Sequence, residues 1–394
     1  MDNPNEERAC LCALNRIFGF EPKVGAALVE AFGSAVSVFS QSPQAISEAL
    51  GAYSRIKYAP GITWSAYESA AIELERLEAA GCRFIGIGEE GYPALLRECP
   101  DPPLGLYYKG SEPPEKVFGG RPMVAVVGTR SMSYYGRDWC ARIVEAMSKA
   151  PVKPLVVSGL ALGIDITAHK AALEAGLPTV AVMPTGIDLV YPALHRRMAG
   201  RIASTAGCAL VTDYPPGTEA TRINFLRRNR IIAGICRATI LVESKIKGGG
   251  MMTARLASSY DRDVYALPGR VDDPLSQGCN LLVRENVAVP VGDLADLVAR
   301  LGLGTAELRL KDDFRAAVAA YYDSYPESEA EDILRIALAV KSRRGISVDE
   351  LCSLTGWSYS KVSRLVTTLE MDGFIEVDLL QHCSPRLRLS SLSN

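Results

Sequence analysis

The sequence has few of the side chains that build metal centres and redox sites. Only three histidines occur in 394 residues, and the ten cysteines include no C-x-x-C pair. Zinc sites need closely spaced thiol and imidazole ligands, so we expect neither a metal nor a cofactor. Scattered single cysteines are typical of small reduced core residues, and we therefore expect a cytoplasmic protein.

Long apolar runs are also missing. No stretch approaches the roughly 18 apolar residues that a membrane-spanning helix needs, and the acidic first residues lack the apolar core of a secretory signal. Hydrophobic residues make up 48% and charged residues 22% of the chain, which is typical of a globular protein and excludes a mostly disordered one. We expect no membrane partner.

Short apolar segments alternate with helical ones between residues 123 and 300. Such strand–helix repetition predicts an α/β fold with a Rossmann-like, doubly wound and mostly parallel sheet, whose ligands bind outside the carboxyl ends of the strands. The expected strands are Met123–Val127, Leu155–Val157, Thr179–Met183, Ala209–Thr212, Thr239–Glu243, Val264–Leu267 and Val287–Val291. The expected helices are Arg137–Ser148, Ile164–Ala175, Ala193–Ala206, Arg228–Cys236 and Met251–Ser259.

Smaller segments flank this domain. Residues 1–80 predict a helical domain, with helices at Leu11–Ile17, Ala26–Phe32, Pro43–Leu50 and Trp64–Ala80. Residues 81–122 are interpreted as a lead-in and linker, with a short strand at Phe84–Ile87 and six prolines that exclude regular structure from 99–122.

Residues 328–390 predict a winged helix. Its expected helices are Glu331–Arg344, a second opened by the capping box Ser347–Glu350, and Ser358–Asp372. Phe374–Val377 and Leu387–Leu389 are the expected wing strands.

Charge is distributed unevenly along the chain. Residues 121–293 contain 21 Lys and Arg against 14 Asp and Glu, whereas the whole chain has a net charge of −2. The excess is greatest at Arg222, Arg227, Arg228 and Arg230. Such a cluster is either a solvated helix end or a groove for a polyanion, since guanidinium groups pair with phosphate.

Three strand–helix turns are candidates for binding phosphate. Gly128-Thr129-Arg130 ends one strand, Ser158-Gly159 ends the next, and Lys247-Gly248-Gly249-Gly250 precedes a helix without forming a P-loop. Glycines let the backbone approach a phosphate, and a helix N-terminus offers free N–H groups. Each turn alone is also compatible with an ordinary tight connection, but several on one sheet edge indicate a nucleotide or polynucleotide.

Asp165 and His169 are four residues apart on one expected helix. They share a helix face, so they form either a proton-transfer pair or a structural contact in which Asp165 caps the first turn. The sequence favours the structural interpretation.

The α/β region resembles the DNA-processing protein A (DprA, or Smf) family over essentially all of residues 121–293. The matching motifs are Gly128-x-Arg130, Tyr135-Gly136, Ser158-Gly159, Gly163-Ile-Asp165, Ala168-His169, Gly186-Ile-Asp188, Tyr191-Pro192, Tyr214-Pro215, Phe225, Arg228-Asn-Arg230-Ile-Ile-Ala-Gly234, Glu243, Thr253-Ala254, Pro268-Gly269 and Gly278-x-Asn280. The flanking segments resemble the family's sterile-alpha-motif-like or helix-hairpin-helix module and its winged helix.

The resemblance implies a non-enzymatic protein that binds single-stranded DNA, protects incoming strands in natural transformation and loads the RecA recombinase. It also implies a homodimer formed through the α/β domain. Arg130 and Arg222 would bind phosphates, Phe225 would stack on a base, and Arg228 and Arg230 would follow the DNA backbone. Gly248–Gly250 stand where the family has Ser-Gly-Ser, so only backbone N–H groups are available there.

Two other functions compete with this one. Glu243 and Gly248–Thr253 loosely resemble the site of enzymes that cleave the base from a nucleoside monophosphate. The winged helix suggests a transcription regulator, but its expected recognition helix carries only Lys361 and Arg364 beside Glu370 and Asp372. The net negative charge of this domain disfavours duplex binding.

Overall fold

The computed structural model describes residues 4–51, 61–304, 313–343, 345–378 and 381–385. They belong to two compact units, residues 1–308 and residues 309–394. None of the described helices is long and apolar enough to cross a membrane.

Helices begin the first unit. They are α1 (Pro4–Ile17), α2 (Pro22–Phe32), α3 (Ala35–Phe39), α4 (Pro43–Leu50) and α5 (Trp64–Ala79). Side-chain oxygens of Ser34, Ser42 and Thr63 cap three of them by accepting backbone N–H groups. The prediction of N-terminal helices is confirmed, although α2 starts earlier than expected because Pro22 is well tolerated in the first turn of a helix.

A nine-stranded sheet forms the centre of the described part of this unit, in the order β1-β2-β6-β5-β4-β3-β7-β8-β9. Strands β3 to β9 run parallel to one another, whereas β2 pairs antiparallel with β6 and with β1. The strands are β1 (Arg83–Gly86), β2 (Gly105–Gly110), β3 (Met123–Val127), β4 (Leu155–Ser158), β5 (Thr179–Val182), β6 (Ala209–Thr212), β7 (Ala238–Leu241), β8 (Asp263–Ala266) and β9 (Val289–Pro290). The predicted α/β fold class is confirmed.

The segment 99–122 corrects the expectation that no regular element lies there. Strand β2 and helix α7 (Pro114–Phe118) both fall within it. The prolines stand before and after β2 rather than inside it, and Pro114 occupies the first turn of α7. Tyr107 and Tyr108 of β2 are fully buried, so the main sheet extends into the segment interpreted as a linker.

Helices cover both faces of the sheet. Alternate residues of β3 enter two different cores, with Val127 on one side and Val126 on the other. The remaining helices of the unit are α6 (Ala94–Arg97), α8 (Tyr134–Lys149), α9 (Ile164–Glu174), α10 (Arg196–Ser204, preceded by a short 3-10 turn), α11 (Arg222–Ile235), α12 (Gly249–Ser259), α13 (Gln277–Arg284) and α14 (Leu294–Arg300).

The second unit is a winged helix, as predicted. Its elements are α15 (Asp313–Tyr321), α16 (Glu327–Ser342), β10 (Ile346–Ser347), α17 (Val348–Thr355), α18 (Tyr359–Met371), β11 (Ile375–Val377) and β12 (His382–Pro385). The predicted capping box of Ser347 and Glu350 is present. The strand expected at Leu387–Leu389 lies outside the described residues, and β12 is the strand that pairs with β11.

Candidate nucleic-acid interface

The strand order reverses between β3 and β7. Strands β3, β4, β5 and β6 follow one another across the sheet in one direction. The next strand, β7, pairs with the opposite side of β3. In open α/β sheets, the carboxyl ends of the strands at such a reversal border the ligand-binding crevice. The turns that follow β3 and β7 therefore border the crevice expected to bind a ligand.

Two glycine turns meet at this point. A Cβ atom on Gly250, in the first turn of α12, would lie 3.2 Å from the Cα of Gly128. A Cβ on Gly128 would lie 2.6 Å from the Ile164 side chain and 2.9 Å from the carbonyl oxygen of Glu243. The Thr129 N–H donates to the same carbonyl at 2.7 Å. Both glycines are required by close backbone packing, which brings the two turns together at one edge.

Arg130 extends from this edge onto an aromatic ring. Its Cζ lies 4.3 Å from the ring centroid of Phe225 on α11. Arg130 is exposed and has no carboxylate partner among the described residues, whereas Phe225 is half-buried. Tyr191, which is 46% exposed, meets the same ring edge-on with centroids 5.4 Å apart. The structure thus joins two predicted site residues and adds Tyr191, which the sequence did not single out for binding.

Arg222 lies on helix α11, although it precedes the helix predicted at Arg228–Cys236. The helix begins at Arg222, six residues before the predicted start, because the Thr221 side chain caps it by accepting the Asn224 N–H. Arg222 is exposed and shares a helix face with Phe225, three residues later. It has no ion-pair partner within the described part of the chain.

Arg228 is buried beneath this surface. Its Nη1 donates to the carbonyl oxygens of Gly159 and Val182 at 2.6 and 2.5 Å, which ties α11 to the ends of β4 and β5. Burial lowers the pKa of Arg228 to about 10, against the opposing effect of Asp165. A Cβ on Gly159 would lie 1.9 Å from Nη1, so this glycine admits the guanidinium.

Ser158 and Arg230 are also turned inward. Ser158 donates its hydroxyl to the Val126 carbonyl at 2.7 Å. Arg230 pairs with Asp213 at 2.5 Å and donates to the Asp101 carbonyl. Arg228 and Arg230, which we expected to follow the DNA backbone, therefore lie inside the protein, and each donates to internal acceptors.

Arg227 fastens the N-terminal helices to α11. It donates to the carbonyl oxygens of Gly19 and Phe20, and its Cζ lies 4.4 Å from the Phe20 ring centroid. Asn15 adds a hydrogen bond of 2.9 Å to the carbonyl of Asp213. Of the four clustered arginines, only Arg222 therefore remains available to an external anion.

The turn before α12 presents backbone groups. Gly248 is the N-cap of α12, Gly249 and Gly250 form its first turn, and Lys247 is exposed. First-turn N–H groups have no partner within their own helix. The glycine turn lies beside Gly128, and both Lys245 and Lys247 of the segment before α12 are exposed.

Glu243 is enclosed. The side chain is 1% exposed, and its carboxylate accepts the N–H and hydroxyl of Ser133, the residue that caps α8. A Cβ on Gly136 would lie 2.1 Å from that carboxylate. Glu243 and Gly136 therefore both serve to anchor α8. This geometry gives no support to a nucleophilic role for Glu243.

Asp165 and His169 do not form the proton-transfer pair. His169 Nδ1 bonds the Thr179 hydroxyl at 2.7 Å, and burial lowers the pKa of His169 to about 3. Burial raises the pKa of Asp165, partly offset by Arg228. The contacts of both residues are structural, but they differ from those expected, because Gly163 occupies the N-cap position of α9 and His169 bonds Thr179 instead of Asp165.

In the winged helix, the cations of α18 are already neutralised. Lys361 pairs with Asp332 at 2.5 Å, and Arg364 pairs with Glu329 at 2.7 Å, both on α16. Lys361 also lies 4.0 Å from the ring centroid of Trp357. These internal pairs leave α18 poorly suited to contact phosphates.

The fold defines an α/β protein of the doubly wound class joined to a winged helix. The family model for DNA recombination-mediator protein A matches residues 83–302, and that for the DprA winged helix domain matches residues 325–378. The chain belongs to the DNA recombination-mediator protein A family.

Named relatives agree with this assignment. Protein Smf of Synechocystis is 31% identical over 325 residues, which cover 77% of this chain and 80% of the relative. DNA processing protein DprA of Streptococcus pneumoniae is 39% identical over 201 residues, covering 51% of this chain and 68% of the relative. The X-ray structure of DNA processing protein A from Streptococcus pneumoniae superposes with a TM-score of 0.63 at 30% identity, covering 76% of this chain and 98% of that one.

Proposed function

We propose that the protein binds single-stranded DNA at the carboxyl edge of the sheet, through Arg130, Arg222 and Phe225. The observation that carries this proposal is the exposed guanidinium of Arg130 over the Phe225 ring. A guanidinium pairs with a phosphate in a fixed fork, and an aromatic face stacks on any base. A single strand offers both groups together, whereas a duplex hides the faces of its bases.

The surrounding backbone and charge support the same ligand. Gly128 and Thr129 lie beside the turn Gly248–Gly250, where first-turn N–H groups and the exposed Lys247 face an anion. Residues 121–293 carry 21 cations against 14 acids, which suits a polyanion. Membership of a family described as a recombination mediator agrees with DNA as the partner.

We further propose the cellular role that the family resemblance implies. The protein would protect incoming strands during natural transformation, load RecA onto them in the cytoplasm, and act as a homodimer formed through the α/β domain. It would do so without catalysis, and the enclosure of Glu243 supports this. RecA filament assembly on strands coated with single-strand-binding protein tests the loading role, which predicts faster assembly when this protein is added.

Competition binding tests the DNA ligand. A labelled single strand bound to the full chain is challenged with unlabelled single strand or duplex at several salt concentrations. We expect the single strand to compete much better, with an affinity that falls steeply as salt rises because phosphate contacts release counterions. Equal competition by duplex, or an affinity that does not respond to salt, would contradict the proposal.

A further inference from the structure

Helix α10 presents a cationic surface that the site described above does not use. Arg196, Arg197 and Arg201 are exposed, and their side chains form no ion pair or hydrogen bond within the described ranges of the chain. The sequence from Leu189 to Thr212 contains no Asp or Glu. The surface therefore has no acid of its own segment to neutralise it.

On other helices of this protein, surface cations form ion pairs with acidic residues of the same helix. Lys149 pairs with Glu145 at 2.8 Å, and Arg300 pairs with Asp296 at 2.7 Å, each four residues apart on one helix. On α10 the residues four apart are Arg197 and Arg201, two like charges. Such a like-charge pair destabilises a helix. Helix stability alone does not favour this arrangement, whereas an external anion would relieve the repulsion.

Position links α10 to the proposed DNA site. The helix leads from β5 to the parallel strand β6, so its first turn lies at the carboxyl edge of the sheet. The preceding loop carries Tyr191, whose ring meets Phe225 at 5.4 Å and 69°, and Leu194, which is 68% exposed. The exposed residues Tyr191, Leu194 and Arg197 therefore follow one another along the chain, from the contact with Phe225 to the first turn of α10.

We propose that Tyr191 and the exposed face of α10 form a second segment of the single-strand track. Tyr191 stacks on a base next to the one at Phe225, and Arg197 and Arg201 bind successive phosphates beyond it. Neutralisation by phosphate removes the like-charge repulsion on α10. The inference rests on the proposed function, since it extends the same strand from the same edge.

Strand length separates this segment from the first. Oligothymidylates of about six and about twenty nucleotides bracket the site sizes typical of single-strand binders. Their affinities are measured for the full chain, for Arg197→Ala/Arg201→Ala, and for Arg130→Ala. Arg284→Ala is the matched control, because Arg284 is an exposed arginine at the end of α13, which leads to the opposite, amino edge of the sheet.

We expect the α10 double variant to bind the longer strand at least tenfold more weakly. The slope of log affinity against log salt concentration should become shallower by an amount that corresponds to about one to two phosphate contacts. The short strand should bind it almost normally. Arg130→Ala should weaken both strands, and Arg284→Ala neither. The melting temperature of the double variant should stay the same or rise slightly, because a repulsion has been removed.

Two outcomes overturn the inference. One is unchanged affinity and salt dependence of the longer strand in the α10 double variant. The other is an equal loss for both strands at an unchanged melting temperature, which would show that α10 does not form a separate, more distant segment. In either case a loss in Arg130→Ala would still support the proposed function. If Arg130→Ala binds both strands normally, the proposed function itself fails.

Discussion

The guanidinium of Arg130 and the ring of Phe225 form a cation–π pair at the carboxyl edge of the sheet, 4.3 Å from Cζ to ring centroid. The pair joins the turn after β3 to the first turn of helix α11, and its two residues are 95 positions apart in the sequence. The cation covers one side of the ring, so a base reaches this place by stacking on the guanidinium plane or on the uncovered part of the ring. Charge and ring are therefore expected to contribute separately to DNA affinity.

Arg130→Ala should lower the affinity for single-stranded DNA about ten- to a hundredfold, because a charge-assisted bond to phosphate contributes about 1.5–3 kcal/mol. The salt dependence should become shallower by roughly one contact or less. The melting temperature should not change, since no carboxylate holds Arg130 in the described structure. Titration and thermal unfolding of the same preparation check this, and a stable variant with unchanged affinity would remove Arg130 from the site.

Phe225→Leu should weaken DNA binding by the free energy that one stacked base contributes, about 1–3 kcal/mol, and should leave the salt dependence of the affinity unchanged. Leucine keeps an apolar side chain of similar volume but lacks the aromatic face. Phe225→Tyr is the control and should bind nearly as the native protein does. If the two variants bind equally well, base stacking on this ring plays no part.

Arg228→Ala should lower stability rather than remove a DNA contact. It leaves the carbonyl oxygens of Gly159 and Val182 without their donor, and a buried unsatisfied group costs about 1–3 kcal/mol. Arg222 lies on the same helix but is exposed, so Arg222→Ala should unfold at the same urea concentration as the native protein. Urea unfolding of the two variants decides the matter, and equal stability of both would contradict the buried role of Arg228.

His169 should make the protein less stable in mild acid. Burial lowers the pKa of His169 to about 3 in the folded chain, against 6.5 for a free histidine. Between these values the unfolded chain binds a proton that the folded chain does not, so the stabilising contribution is complete above pH 6.5 and decreases as the pH falls. At pH 5 the loss is about 2 kcal/mol.

The matching variant is His169→Gln, which keeps a polar side chain near Thr179 but does not titrate. Denaturant unfolding between pH 7 and pH 5 should show a smaller loss of stability in the variant than in the native chain. Parallel curves would show that His169 is not responsible for the acid sensitivity.

Most of the fold could be predicted from the sequence. Buried parallel strands are short, apolar and rich in valine, so β3 and β6 were predicted residue for residue. Strand β2 was missed because prolines crowd around it, and only its pairing with β6 shows that they mark its borders. Helix α11 was predicted too short, since a run rich in arginine hides the apolar periodicity of its first turn.

The site was harder to predict than the fold. Motif and charge pointed to Arg130, Arg222 and Phe225, which the structure leaves accessible or half-accessible. The same signal also selected Arg228 and Arg230, because a sequence does not distinguish an arginine bound to phosphate from one that donates to buried carbonyls. Tyr191 gave no binding signal, since its contact with Phe225 depends on a loop and a helix that meet only in the folded chain.

Photocrosslinking tests the central claim most directly. A single strand containing halogenated uracil is irradiated on the full-length protein, and the crosslinked peptides are identified by mass spectrometry. We predict crosslinks at Phe225 or Tyr191, lost in competition with unlabelled single strand and strongly reduced in Arg130→Ala. Crosslinks confined to the winged helix, on α18 or its neighbours, would contradict the assignment of the single-strand site to the carboxyl edge of the sheet.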